Sequence, residues 1–108
     1  MNPVERLWKA LADQDWEKAR AEMHPQAVVE WPHTGEQFAG CDAFLEVHRA
    51  FPGPWTLEVR RIITEGRDIA SEVVVRSGED TWYVASFFGL RDGRIHSAVE
   101  YWVAEEPA

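Results

Sequence analysis

Phe87-Phe88-Gly89-Leu90-Arg91-Asp92-Gly93-Arg94-Ile95, followed by Ala98-Val99-Glu100-Tyr101-Trp102, decides how this chain is read. Two apolar strands meet at an Asp-Gly pair, a strong short-range hairpin signal. The second strand carries a carboxyl group, Glu100, between Val99 and an aromatic pair. A charge in such a strand is costly unless it faces water, a partner or a ligand. Glu100 is therefore the first residue to ask about function.

Working outward toward the C-terminal half, the strand pattern repeats. Trp55, Leu57 and Val59 alternate with Thr56, Glu58 and Arg60. Gly66-Arg67-Asp68 reads as a turn, Ile69 to Arg76 as a β-branched strand, and Ser77-Gly78-Glu79-Asp80 as another turn. Thr81 to Leu90 and Ile95 to Val103 complete a meander of about four long strands. The tail from Ala104 is expected to fray.

Toward the N-terminus the period changes to that of helices. Asn2 can cap a helix with Pro3 in its first turn. Val4, Leu7, Trp8 and Leu11 fall on one stripe. Asp15 can cap a second helix bearing Trp16, Ala19, Arg20 and Met23 on one face, which His24-Pro25 is expected to end. Ala27 to Trp31 reads as a short strand closed by Pro32. Residues 42–51 read as a third helix with Phe44, Val47, His48 and Phe51 on one side, stopped by Pro52-Gly53-Pro54. Helices followed by an antiparallel meander predict an α+β fold, in one domain over residues 1–108.

Bulk composition narrows the partners. The 108 residues are 45% hydrophobic and 12% aromatic, which is a globular composition. A formal charge of −8 argues against nucleic-acid backbones and against anionic membranes. Cys41 is the only cysteine, so neither an intramolecular disulfide nor a thiolate zinc cluster is available. No stretch approaches the ~20 apolar residues of a membrane span, and Met1-Asn2-Pro3-Val4-Glu5 lacks signal-peptide character. A cytoplasmic protein is the expectation. His24, His33, His48 and His96 show no metal-ligand spacing, and no phosphate loop or dinucleotide fingerprint occurs, so no metal and no cofactor is expected.

The order and spacing of several short landmarks add a family reading. They are Leu11-Ala12-Asp13-Gln14-Asp15, Met23-His24-Pro25-Gln26-Ala27-Val28-Val29-Glu30-Trp31-Pro32, Phe38-Ala39-Gly40, and Leu90 to Ile95 with Glu100-Tyr101-Trp102. In these the chain resembles the nuclear transport factor 2-like superfamily, and within it the SnoaL-like relatives of polyketide cyclases. The resemblance implies a cone-shaped α+β roll, in which three N-terminal helices pack on a curled, mostly antiparallel sheet enclosing a cavity. It also implies a homodimer through the outer sheet face, where Trp55, Tyr83, Phe87 and Tyr101 are expected. That scaffold carries isomerases, cyclases, hydrolases and non-catalytic binders. Where ketosteroid isomerases of the superfamily place a tyrosine, a basic aspartate and a second oxyanion acid, this chain has Leu7, Trp31 and Ser86. Where limonene epoxide hydrolases place an Arg-Asp pair, it has Val73-Val74-Val75. Their last-strand aspartate corresponds to Glu100.

The resulting expectation is an aromatic-lined site for a small apolar or aromatic molecule. Glu100 would move a proton, and His33 or Ser86 would polarise an oxygen. Trp8, Trp31, Trp82 and Trp102 would form walls, with His48 on the rim of the third helix. The competing expectation is a non-catalytic binding or assembly module of the same fold. Glu30 and Cys41 read as a surface charge and an inert small residue.

Overall fold

A computed structural model describes residues 1–51 and 54–106. Helix α1 (Pro3–Ala12) begins with a reciprocal cap: the Asn2 side chain accepts from the Glu5 amide at 2.9 Å, and the Asn2 amide donates to Glu5 Oε1. Helix α2 (Trp16–Ala21) is capped by Asp15, which accepts from the Lys18 amide. Strands β1 (Met23–Trp31) and β2 (Glu36–Ala39) follow, then α3 (Cys41–Arg49). The chain ends in the meander β3 (Trp55–Glu65), β4 (Asp68–Ser77), β5 (Asp80–Arg91) and β6 (Arg94–Ala104).

The six strands form one sheet in the order β2-β1-β6-β5-β4-β3. Only β1 and β6 run parallel; every other neighbouring pair is antiparallel. The three meander hairpins each turn in two residues. At the last, Asp92 and Gly93 have φ of 53° and 76°, the paired left-handed conformations that a tight hairpin requires. The three helices lie on one face of the curled sheet. Val4, Leu7, Trp8 and Leu11 of α1 and Phe44 and Leu45 of α3 form one core with Val73, Val84, Phe88, Ile95 and Ala98. This is the α+β roll expected from the sequence.

Four local readings are corrected. The pair His24-Pro25 does not end α2 but lies inside β1, because the helix stops at Ala21 and the chain becomes extended earlier. Pro25 has no N–H to give the ladder, and the β1–β6 register shifts between Met23 and Val28. Strand β2 was not expected; it has one substantial apolar side chain, Phe38, and so little periodicity to read. Trp55 does not join the outer face: it packs toward the core, with its ring 6.5 Å from that of Phe51. Ala104 continues β6, and the Glu105 amide donates to Thr81 O at 2.7 Å. The Pro52-Gly53 stop and the end of the tail at residues 107–108 fall outside the described residues.

Gly40 sets the start of α3. Its φ is +96°, and a Cβ there would lie 3.6 Å from Pro25 O, so glycine lets the chain leave β2 and enter the helix beside β1. That helix carries His48 over the concave face of the sheet.

Candidate functional site

Strand alternation puts Trp82, Val84, Ser86 and Phe88 of β5 on the concave face, with Ala98, Glu100 and Trp102 of β6. Register then builds a lateral polar row. Ser71 of β4 pairs with Ser86 of β5, and Ser86 pairs with Glu100 of β6. Trp31, at the end of β1, reaches Glu100 from the other side. Trp8 of α1 meets the far end of the row, donating its indole N–H to Ser71 Oγ at 3.0 Å.

Glu100 is wholly buried (0% exposed) and each of its oxygens accepts a hydrogen bond. Ser86 Oγ donates to Oε2 at 2.7 Å, and Trp31 Nε1–H donates to Oε1 at 3.2 Å. Both donors help offset the cost of taking a carboxyl group out of water.

His48 stands beside this group on α3. Its Nδ1–H donates to the Phe44 carbonyl at 3.1 Å, which leaves Nε2 as the unprotonated nitrogen of the neutral ring. Burial pushes the imidazole below its ordinary value; the nearby Glu100 charge and the Phe44 carbonyl pull the other way. His48 Nε2 is buried and has no hydrogen-bond partner among the described residues, and the same holds for Trp102 Nε1. The two rings are 6.0 Å apart between centroids.

An aromatic layer closes this end of the sheet. The Trp102 ring lies 5.7 Å from Trp31, 6.0 Å from Phe51 and 6.4 Å from Trp82. Phe38 meets Trp31 edge-on at 4.8 Å. These five rings are only partly buried, whereas Glu100 is wholly so.

The structure thus brings together Glu100, Ser86, Trp31, His48 and Trp102, with Trp82 at the edge. Two expected residues stand apart from that cluster. Trp8 sits in the main core, edge-on to Phe88 at 6.4 Å and engaged with Ser71. His33 is exposed, its ring 5.9 Å from Trp31 and 6.2 Å from Tyr101. Phe38 and Phe51 were missed as wall residues. In the sequence, Phe51 falls with His48 on one side of a helix expected over residues 42–51, and that spacing was the available signal, although α3 ends at Arg49 and Phe51 lies just beyond it; Phe38 offered none.

Other features have structural explanations. Glu30 is exposed. Cys41 is buried, and burial pushes its thiol up despite the neighbouring Arg20. Among the described residues no three His, Cys, Asp or Glu side chains converge on a common point. No helix there is long and apolar enough to cross a membrane.

Comparison with known proteins agrees with this architecture. A provisionally assigned ketosteroid isomerase from Kribbella flavida superposes with a TM-score of 0.90 at 25% identity, over 98% of this chain and 79% of that one. IdmH, a provisionally assigned polyketide cyclase from Streptomyces antibioticus, gives 0.80 at 21% identity, over 95% and 89%. An LEH-like epoxide hydrolase from M. tuberculosis gives 0.77 at 20% identity, over 94% and 80%. No curated protein matches the sequence. The model of the SnoaL-like domain matches residues 4–98, and the chain belongs to that family.

Proposed function

We propose that this protein binds a small apolar or aromatic molecule under its layer of tryptophans and transfers a proton on it without a cofactor. The observation that carries the reading is Glu100: a fully buried carboxyl group, held from both sides, beside two buried polar atoms with no hydrogen-bond partner among the described residues. Buried polar groups are normally paired, and clusters that break the rule mark functional sites. Glu100 is the proton carrier in this reading. Ser86 and Trp31 fix its position, and Trp31, Trp82 and Trp102 form the wall against which a ligand packs. His33 packs at the rim against Trp31. Isomerisation, cyclisation or addition of water all fit one carboxyl group working this way. Isomerases, cyclases and hydrolases are among the proteins that share the fold.

A thermal-shift screen of aromatic and polycyclic compounds tests binding, since a ligand that prefers the folded state raises the melting temperature. Turnover of any hit by the Glu100→Gln variant tests chemistry. A drop of about 10²-fold or more is expected when a general acid-base group is removed. Unchanged turnover excludes Glu100 as the proton carrier.

A second reading, an assembly module, draws on the convex face. Ile63, Phe87 and Val103 are each more than half exposed there, and Tyr101 is 40% exposed. An apolar face of this kind favours a partner, and the partner we propose is a second copy of the chain, in the cytoplasm.

A further inference from the structure

We propose that the ligand of this site presents a hydroxyl group, a phenol, enol or alcohol on an aromatic frame, whose O–H donates to His48 Nε2 and whose oxygen accepts from Trp102 Nε1–H. This inference rests on the reading of the Glu100 cluster as a ligand site and names the chemistry that site selects.

The two orphaned atoms are opposite in kind. An indole Nε1–H only donates. His48 Nε2 only accepts while the ring is neutral, because Nδ1 spends its hydrogen on Phe44 O. Burial holds the ring in that neutral form. One buried acceptor and one buried donor therefore lie on neighbouring rings, 6.0 Å apart between centroids. A hydroxyl satisfies both through a single oxygen. A ketone or an ether leaves His48 Nε2 unpaired, and a hydrocarbon leaves both unpaired. Leaving such a group buried and unmatched is what gives hydroxyl-reading sites their selectivity.

The neighbouring groups do not compete for this role. Ser86 and Trp31 already direct their hydrogens to Glu100. The surrounding rings, Phe44, Phe51 and Trp31, are apolar surfaces suited to an aromatic frame. His48 and Trp102 thus orient the oxygen, and Glu100 is left for the proton that moves.

The probes are 2-naphthol and 2-methoxynaphthalene, which share a frame but differ in the donor. Binding is followed by NMR on the 15N-labelled protein, reading the Trp102 indole N–H signal, assigned by its loss in Trp102→Phe. The expected result is that 2-naphthol shifts this signal and binds at least about tenfold more tightly than the ether. The His48→Phe variant should bring the two affinities together; His48→Leu, which also removes the acceptor, should do the same if His48→Phe does not fold. Equal affinities, with the Trp102 signal moved by both compounds, would overturn the hydroxyl inference while leaving the ligand site standing. No effect of either compound on that signal would overturn the site reading and this inference with it.

Discussion

Ser86 and Glu100 face each other in register across β5 and β6, and the Ser86 hydroxyl donates to Glu100 Oε2 at 2.7 Å. Both side chains are fully buried. Removing the donor leaves one carboxyl oxygen without a partner in a dry environment. Ser86→Ala should therefore destabilise the fold by about 1–3 kcal/mol, more than the small volume change implies. Urea denaturation followed by tryptophan fluorescence measures it. A change below about 0.5 kcal/mol would mean that another donor replaces the serine.

Trp8 and Ser71 form a second buried pair, between α1 and the centre of β4. Trp8→Phe loses the hydrogen bond and leaves a gap where the larger ring packed against Phe88. The expected cost is about 2–4 kcal/mol, combining an unpaired hydroxyl with a cavity. Ser71→Ala, which removes only the acceptor, should cost about 1–3 kcal/mol. Equal losses in the two variants would show that the hydrogen bond, not the packing, dominates.

How far the sequence could be read follows from which forces act locally. The Asp92-Gly93 hairpin, the Asn2 cap and the alternation of β5 and β6 are written in short stretches, and the alternation puts Glu100 on one face with Ala98 and Trp102; that this face is the inner one comes only from tertiary packing. Ser86 and Glu100 were legible as candidate site residues of one parity, but their hydrogen bond was not, because it depends on the register between β5 and β6. The pairing of Trp31 with Glu100 was not, because it depends on the parallel β1–β6 contact, which joins segments 69 residues apart. The orphaned state of His48 Nε2 was equally hidden. It depends on how α3 lies over the sheet, and on Gly40 and Pro25 at the entry to that helix. Trp55 misled for the same reason: its strand is amphipathic, and only tertiary packing against Phe51 decides which face is inside.

The convex face makes a separate claim. If two copies meet there, charges placed among Phe87 and Val103 should separate them. The double variant Phe87→Lys with Val103→Lys is expected to sediment as a monomer at concentrations where the unmodified chain is a dimer. Both side chains are more than half exposed, so the fold should tolerate the change. Sedimentation velocity across a concentration series decides it. A chain that remains monomeric at the highest concentration without any substitution would exclude this interface.

His48 gives the fold a dependence on pH whose sign is determined by its burial. Its folded value lies below the ordinary value of 6.5, so between the two the unfolded chain binds the proton and the folded chain does not. The stability contributed by the neutral buried ring is fully present above pH 6.5 and declines as the pH falls below it, levelling off beneath the folded value. The slope due to this one group is at most about 1.4 kcal/mol per pH unit. Carboxyl groups also respond in acid, so the control is His48→Leu, which removes the titrating ring and keeps an apolar side chain against Phe44. The unmodified protein should lose more stability between pH 7 and pH 5.5 than His48→Leu does, read as the difference in urea midpoints. Parallel curves for the two proteins would show that His48 is not held neutral, and that the acceptor at Nε2 is not there for a ligand to use.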